Sequence, residues 1–249
     1  MKRKTFVKTS NLHRFLAGLE VLERRAAPEA CFMVVTSEPG YGKTMTLHWY
    51  STQNADAIYL RAKSGYTRHW FLAELLKELN PHGTPIHKTE DMFREVLKRM
   101  IGHNYVLIVD EAEHAVADTQ VLEALRDLAD LLETPVVLVG MEAIQGKIAR
   151  HPQVSSRVAA VVQFQPASTE DVAQVANQLL EGIALQEDLA HEVQKQTKGR
   201  MREIMNALAI CERVAQQRKV KSLSRADMEG QELTYDWQAR KPRLLKIVQ

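Results

Sequence analysis

A glycine-containing loop between an apolar strand and a helix constrains this chain more than any other feature. The segment Thr36–Thr44 reads TSEPGYGKT. It follows the apolar run Ala30–Val35 and leads into Thr44–Tyr50, which has the residues of a helix. Gly40 and Gly42 allow the backbone to turn its N–H groups inward without a Cβ in the path. The order strand, loop, helix predicts a phosphate-binding loop at a helix N-terminus, where anions are favoured.

This loop predicts individual roles in binding a nucleotide. We expect Lys43 to reach the β- and γ-phosphates of ATP, and Thr44 to offer its hydroxyl to Mg²⁺. Ser37 stands where the general pattern G-x-x-x-x-G-K-[ST] has its first glycine, which is a mild departure. The residues expected to contact the nucleotide are Glu38, Pro39, Gly40, Tyr41, Gly42, Lys43, Thr44 and Met45. An ordinary glycine turn is the alternative, and the strand, the Lys-Thr pair and the helix in sequence argue against it.

Apolar strands alternate with amphipathic helices before residue 165 and give way to helices after it. Strands are predicted at 30–35, 57–60, 105–109, 135–139 and 159–164, and the later helices at 168–181, 187–197 and 200–218, with no strand among them. Continuous apolar strands separated by helices indicate a parallel sheet covered on both faces. We therefore expect an α/β nucleotide-binding domain with an N-terminal helix over 1–165, and a small helical domain with a basic tail over 166–249.

Two carboxylates end the apolar strand Val106–Val109. Ligands of open α/β sheets bind at the carboxyl ends of strands, so Asp110 and Lys43 are expected to share one site. Asp110 would then organise Mg²⁺, and Glu111 would orient or deprotonate the attacking water. A solvated acidic turn is the alternative for this pair taken alone. Together with the phosphate-binding loop, the pair predicts ATP hydrolysis.

Composition excludes several classes of protein. The formal net charge is only +2, and the 45% hydrophobic and 26% charged residues are an ordinary globular balance. No apolar run approaches the roughly 18 residues of a membrane span, and the basic start lacks the apolar segment of a signal peptide. Two cysteines and scattered histidines suggest neither a disulfide framework nor a metal centre. We expect a cytoplasmic protein with no membrane partner, whose basic ends are either solvated tails or DNA contacts.

The loop, the Val-Asp-Glu strand end and the trailing helices together resemble the AAA+ ATPases, over about residues 10–218. The resemblance implies a P-loop AAA+ fold, in which a three-layer parallel sheet is followed by a helical lid. It also implies roles for two arginines. Arg202, in Gly199–Ile204, matches the sensor 2 arginine that reaches the γ-phosphate. Arg157 lies where the family has an arginine finger for the neighbouring subunit, with Arg150 as rival and a surface arginine as the alternative.

One position departs from the family pattern. The family has a polar residue, called sensor 1, after the fourth strand, whereas this chain reads VGME over 139–142. Met141 cannot hold the attacking water strongly. Either Glu142 substitutes for the missing polar residue or hydrolysis is slow, as in a timer or a switch.

Within the family, the chain resembles the transposition ATPases of the MuB and TnsC type, through its Gly-Tyr-Gly-Lys-Thr loop and the Val-Gly-Met-Glu-Ala stretch. This implies ATP-dependent, non-specific binding of double-stranded DNA by a homo-oligomer, as a ring or helical filament. It also implies recruitment and stimulation of a transposase, and disassembly on hydrolysis. The candidate DNA contacts are Lys63, Tyr66, Thr67 and Arg68, with an ordinary basic loop as the alternative. A helicase loader of the DnaC or IstB type and an ExeA-like ATPase acting on a protein partner remain open.

Overall fold

The computed structural model describes residues 5–236 and 241–244, and its contacts divide the chain into two compact units. The larger unit comprises Arg14–Glu38 and Lys43–Phe164, and the smaller one Met1–His13, Pro39–Gly42 and Gln165–Gln249. The start of the chain and residues Pro39–Gly42, here called the crest of the glycine loop, therefore group with the C-terminal residues. The sequence pattern had placed both in the first domain. The basic ends at 1–4, 237–240 and 245–249 lie outside the described residues.

A five-stranded parallel sheet forms the centre of the larger unit, as the sequence predicts. Its strands are β1 (Phe32–Thr36), β2 (Ala57–Arg61), β3 (Val106–Asp110), β4 (Val136–Gly140) and β5 (Val158–Gln163), in the order β2-β3-β4-β1-β5. The register aligns the strand ends. Arg61 lies opposite Asp110, and Thr36 lies opposite both Gly140 and Gln163. One edge of the sheet thus collects the polar residues that follow its apolar strands.

Helices cover both faces of this sheet. They are α1 (Ser10–Glu23), α2 (Lys43–Gln53), α3 (Arg68–Leu79), α4 (Thr89–Met100), α5 (Thr119–Leu132), α6 (Ala143–Ile148) and α7 (Pro152–Ser155). Since successive strand residues point to opposite faces, Val34 and Leu138 pack with α3, α4 and α5. Met33 points the other way and lies against α1 at Gly18. Burial on both faces explains why β1, β3 and β4 are apolar nearly throughout, whereas the edge strands β2 and β5 are only partly buried.

The smaller unit contains short strands that the sequence analysis did not predict. Its elements are α8 (Thr169–Leu179), β6 (Ala184–Leu185), α9 (Glu187–Thr197), α10 (Met201–Arg218), β7 (Ser222–Leu223), a 3₁₀ turn (Ala226–Met228), β8 (Glu232–Asp236) and β9 (Lys241–Leu244). β6 pairs with β7 in parallel and β8 with β9 in antiparallel fashion. The three predicted helices are present, but the expectation of no strand was wrong. β6 and β7 have two residues each, too few to show an alternating pattern, and β8 and β9 lie beyond the last predicted helix.

A buried carboxylate organises the start of the smaller unit. Ser168 and Asp171 form a reciprocal capping box at the start of α8, with both hydrogen bonds at 3.1 Å. Asp171 also accepts hydrogen bonds from the backbone N–H of Ser10 at 2.8 Å and from its hydroxyl at 3.0 Å. The first residue of α1 is therefore fixed to the first turn of α8, which accounts for the grouping of the chain start with the C-terminal residues.

The remaining composition-based expectations concern cysteines, metals and membranes. Cys31 and Cys211 are buried and free, and burial raises the pKa of the Cys211 thiol to about 12, so that it stays protonated. In the described part of the chain, no three His, Cys, Asp or Glu side chains gather as a metal site would require. Among the same residues, none of the helices has the length and apolar character needed to cross a membrane.

Candidate nucleotide-binding and hydrolytic site

Lys43 begins α2 directly after the glycine loop, and its ammonium group is held within the larger unit. Lys43 Nζ donates to the carbonyl oxygen of Ser37 at 2.9 Å and to its hydroxyl at 2.7 Å. Ser37 is completely buried. The residue that replaces the usual glycine therefore supplies oxygen atoms to the lysine that is expected to bind phosphate. Phosphate oxygens of a nucleotide would have to replace these partners.

The electrostatic surroundings of Lys43 combine burial with negative charge. Burial lowers the pKa of its ammonium group, while the charges of Asp110, Glu113 and Glu142 act to raise it. A half-buried cation among three carboxylates attracts a polyanion only if a divalent cation or a rearrangement offsets the acidic groups. Mg²⁺ would supply that offset if it accompanied the nucleotide.

Asp110 lies at the centre of a small oxygen cluster. Its Oδ2 accepts a hydrogen bond from Thr44 Oγ1 at 2.8 Å and another from the hydroxyl of Tyr59 at 3.0 Å. Its Oδ1 accepts from the backbone N–H of Glu111 at 2.9 Å. The fold thus brings together the predicted Mg²⁺ residues Thr44 and Asp110, whose hydroxyl and carboxylate oxygens are the donors that Mg²⁺ prefers. These two residues would hold Mg²⁺, which would supply positive charge to offset that of the phosphates.

Tyr59 is a site residue that the sequence analysis did not single out. Burial and the neighbouring Asp110 carboxylate raise the pKa of its phenol, so the hydroxyl stays protonated and donates. Tyr59 is the third residue of β2, the strand next to β3 in the sheet. The signal in the sequence was weak, because strand neighbours are set by topology and not by proximity along the chain.

Glu111 is turned toward β2 in this structure. Its backbone φ of 51° lies in the left-handed region, which residues with a Cβ seldom occupy. Its side chain pairs with Arg61, the last residue of β2, with Nη2 and Oε1 2.5 Å apart. The hydrogen bond from Arg61 lowers the pKa of Glu111. The predicted water-activating carboxylate is therefore ionised and paired with an arginine on the neighbouring strand.

The end of β4 lacks a polar residue at the expected position. Met141 is 42% exposed, and its thioether is at most a weak hydrogen-bond acceptor. Glu142, the predicted substitute, accepts a hydrogen bond from Gln163 Nε2 at 3.1 Å. Its carboxylate is thus engaged at the end of β5. Neither Met141 nor Glu142 therefore matches the polar residue that the family has after its fourth strand.

The crest of the glycine loop belongs to the smaller unit and is held there by two helix starts. Gly40 and Gly42 have φ values of 95° and 89°, which only glycine adopts readily. The carbonyl oxygen of Gly40 accepts a hydrogen bond from Met201 N at 2.8 Å. Asn11 Nδ2 donates to the carbonyl oxygen of Tyr41 at 3.1 Å. The conformation of the crest therefore depends on α1 and α10 as well as on its glycines.

Two arginines near the start of α10 differ in position. Arg202 is exposed in the first turn of that helix. Arg200 precedes the helix and lies against the loop crest, since its Cβ is 3.5 Å from where a Cβ on Gly40 would stand. The resemblance to the family pointed to Arg202, and no pattern in the sequence pointed to Arg200. The γ-phosphate role of Arg202 stays a prediction, with Arg200 the arginine next to the glycine loop.

Arg157, the predicted arginine finger, makes several bonds within the larger unit. Its Nε and Nη2 donate to the two oxygens of Asp130 at 2.6 and 2.8 Å, and its Nη1 donates to the carbonyl oxygen of Gln153. This two-point pair raises the pKa of Arg157 further. Its rival Arg150 follows α6 and is exposed. Arg150 is therefore the more accessible of the two arginines.

Lys63 lies on the surface beside the carboxylate of Glu74. Lys63 Nζ and Glu74 Oε1 are 2.5 Å apart, and the ammonium stands 5.1 Å from the centre of the Trp70 ring. Tyr66 is only 2% exposed and donates its hydroxyl to Glu74 Oε2 at 2.8 Å. As a candidate DNA contact, Tyr66 is therefore placed to support the loop and not to touch a phosphate.

The other two candidate DNA contacts belong to the start of α3. The hydroxyl of Thr67 accepts a hydrogen bond from Trp70 N at 3.3 Å and caps the helix. The guanidinium of Arg68 stands 5.5 Å from the centre of the Phe93 ring. Of the four predicted DNA residues, Lys63 and Thr67 are exposed, Arg68 is half-buried and Tyr66 is buried.

Comparisons with known proteins agree on the fold. Residues 28–148 match a family model described as AAA domain, AAA_22. A potential ATP-binding protein of Staphylococcus aureus is 23% identical over 201 residues, which cover 68% of this chain and 71% of the relative. The structure of Cdc6p from Pyrobaculum aerophilum is similar with a TM-score of 0.64 and 17% identity, over 91% of this chain and 68% of the other. The Aeropyrum pernix ORC1 protein in complex with DNA has a TM-score of 0.59 and 16% identity, over 89% and 64%.

These likenesses and the five-stranded parallel sheet with its helical C-terminal part show an α/β fold of the AAA+ P-loop type. The family match and the name of the Staphylococcus aureus relative also support ATP binding.

Proposed function

We propose that this chain is an AAA+ ATPase that binds double-stranded DNA without sequence preference in its ATP-bound state. One observation carries the ATPase proposal. Lys43 and Thr44 are consecutive, and Asp110 follows Thr44 by 66 residues, yet all three lie at one edge of the sheet, with Thr44 Oγ1 2.8 Å from Asp110 Oδ2. A lysine followed by a residue with a hydroxyl group, together with a carboxylate at the end of a neighbouring strand, are the groups that hold a nucleoside triphosphate and its Mg²⁺.

Each group has a defined task in hydrolysis. Lys43 exchanges the oxygens of Ser37 for phosphate oxygens and places its charge beside the transferred group. Thr44 would offer its hydroxyl oxygen, and Asp110 its carboxylate oxygens, as ligands for Mg²⁺. Glu111 accepts a hydrogen bond from the attacking water and takes its proton as the bond to phosphorus forms. For this step Glu111 would have to leave Arg61.

The Arg61–Glu111 pair offers a route from DNA binding to hydrolysis. Arg61 is the last residue of β2, and the loop that follows it carries Lys63. A phosphate that draws Lys63 away from Glu74 would shift this loop and loosen the hold of Arg61 on Glu111. Hydrolysis is then slow until DNA is bound.

Support for DNA as the partner is less direct. The loop at 63–68 presents two cations, and the fold is shared with the ORC1 protein that was determined in complex with DNA. No base-reading motif is present in the sequence, so phosphate contacts would dominate and binding would be insensitive to sequence. The resemblance to MuB and TnsC favours a cytoplasmic homo-oligomer, ring or filament, that recruits and stimulates a transposase.

The direct test of the enzymatic proposal is steady-state phosphate release with ATP and Mg²⁺, with and without a random-sequence duplex. We expect slow hydrolysis alone and a rise of about tenfold or more with duplex, since Glu111 must first be released. Omitting Mg²⁺ should abolish turnover. A chain that binds ATP yet releases no phosphate under any of these conditions would be a nucleotide-binding module and not an ATPase. Stimulation by single strands alone would favour a helicase loader.

We expect that replacing Lys63 and Arg68 by alanine together weakens binding to all duplex sequences alike. Each cation that contacts a phosphate releases about one counterion from the DNA. Without the two cations, the slope of log affinity against log salt concentration should become less steep by about two. Fluorescence anisotropy with two unrelated duplexes measures both quantities. Lys77→Ala is the matched control, because Lys77 is exposed on the same helix, near its other end. An unchanged slope in the double variant would remove this loop from the interface.

Alanine at Arg150 and at Arg157 should have different consequences. Arg150→Ala is expected to lose assembly-dependent hydrolysis while keeping the fold and the ATP affinity. Arg157→Ala should instead lower stability by about 1 kcal/mol, since it removes the two-point partner of the exposed Asp130 carboxylate. Thermal unfolding and ATPase activity as a function of protein concentration separate the two. Loss of assembly-dependent turnover in Arg157→Ala at full stability would restore it as the finger.

A further inference from the structure

A third carboxylate, Glu113, lies near the nucleotide site with one oxygen that lacks a donor. It follows the Asp110–Glu111 strand end in the turns before α5. Its Oε2 is buried, and no group within residues 5–236 and 241–244 donates a hydrogen bond to it. Buried carboxylate oxygens are nearly always satisfied in folded proteins, so an exception calls for a ligand or a water that completes it.

The position of this oxygen places it at the carboxyl end of β4. A Cβ added to Gly140, the last residue of that strand, would collide with Glu113 Oε2. Glycine at this position therefore leaves the space that the carboxylate occupies. Lys147 Nζ donates to the backbone carbonyl oxygen of Glu113 at 3.3 Å and helps to fix the turn. This is the edge of the sheet that also carries Lys43 and Asp110.

The negative charge of Glu113 acts on Lys43, the lysine that is expected to bind phosphate. Burial lowers the pKa of Lys43, and Asp110 and Glu113 are the first two groups that oppose this shift. The carboxylate of Glu113 is thus near enough to Lys43 for its charge to act on that ammonium group.

Three other side chains near this edge are already engaged or unsuitable. Glu111 pairs with Arg61, Glu142 accepts from Gln163, and Met141 has no strong acceptor. We propose that Glu113 is a further catalytic residue, whose Oε2 accepts a hydrogen bond from the attacking water and so supplies the polar contact that Met141 cannot make. The inference rests on the proposed ATPase function.

In this step, the water oxygen forms its bond to the γ-phosphorus while the bond from phosphorus to the β,γ-bridging oxygen breaks. ADP leaves with that electron pair, and the proton of the water passes to Glu111. Glu113 gains no proton. It holds the second O–H of the water and thereby fixes the direction of the lone pair that attacks.

The first test compares Glu113→Ala, Glu113→Gln and the exposed control Glu78→Ala in duplex-stimulated hydrolysis. We expect Glu113→Ala to lower kcat about 100-fold, a typical loss for a positioned polar group in the transition state, at an ATP affinity within about threefold of the parent. Glu113→Gln keeps an acceptor oxygen and should recover at least about tenfold of that loss. A kcat within threefold of the parent in Glu113→Ala, or no recovery with glutamine, would overturn the proposal.

A second variant and a second readout guard against a mere folding defect. Gly140→Ala should displace the Glu113 carboxylate and reproduce the kcat defect with Glu113 still present. Binding of ADP with aluminium fluoride, which mimics the transferred phosphoryl group, should weaken in Glu113→Ala while ADP alone binds as before. Equal affinity for this complex in parent and variant would contradict the proposal. If the parent itself hydrolyses no ATP, the proposed function fails first, and the two failures are distinguishable.

Discussion

Lys43→Ala is expected to lower the affinity for ATP by at least about 100-fold, which corresponds to about 3 kcal/mol. The reason is that a half-buried ammonium group is replaced by a methyl group where phosphate charge must be held. Isothermal titration with ATP and Mg²⁺ measures the loss directly. Because nucleotide binding gates DNA binding in this account, the variant should also fail to bind duplex in the presence of ATP.

The control for this experiment is Lys98→Ala, which removes an exposed lysine from α4. Both variants should unfold at nearly the parent temperature. Burial of the Lys43 ammonium group is unfavourable and its interactions with nearby carboxylates are favourable, so its net contribution to stability is small. ATP affinity of Lys43→Ala within threefold of the parent would show that this loop does not hold the triphosphate.

Glu111→Gln should separate binding from hydrolysis. Glutamine cannot take the proton of the attacking water, so we expect kcat to fall by about 10²–10⁴-fold while ATP binds normally. The protein should then remain in its ATP state and dissociate from duplex far more slowly than the parent. Single-turnover hydrolysis and the dissociation rate from labelled duplex check the two halves of the expectation. Unchanged turnover would remove Glu111 from its role.

Arg61→Ala is the complementary variant, because it removes the group that holds Glu111 away from catalysis. Turnover without DNA should rise and the stimulation by duplex should shrink. A variant with lower turnover and intact stimulation would show that Arg61 assists the reaction and does not restrain it.

The parallel sheet and the core of the site were predictable because apolar strands and a glycine loop leave clear local patterns. Asp110 and Lys43 are far apart in sequence, yet each follows a buried strand, and the carboxyl ends of parallel strands meet at one edge. The observed strand and helix limits differ from the predicted ones by a few residues at most, such as β1 at Phe32–Thr36 against the predicted 30–35. Segment ends are the weakest part of any pattern, since they depend on local hydrogen bonds.

Residues whose roles depend on topology or on side-chain orientation could not be predicted. Tyr59 and Arg61 reach the site only because β2 lies next to β3, and the strand order is not written in either segment. Arg200 differs from Arg202 by which side of a helix start it occupies. Glu113 depends on the space left by Gly140. Such facts arise from packing between segments and leave no periodic trace in the sequence.

The most direct test of the central claim is anisotropy of a labelled random-sequence duplex, titrated with protein in ATP, in ADP and without nucleotide, at two salt concentrations. The account predicts tight, cooperative binding with ATP alone, weakened steeply by salt because phosphate contacts dominate. Absence of duplex binding in every nucleotide state would contradict it, and would direct attention to single strands or a protein partner.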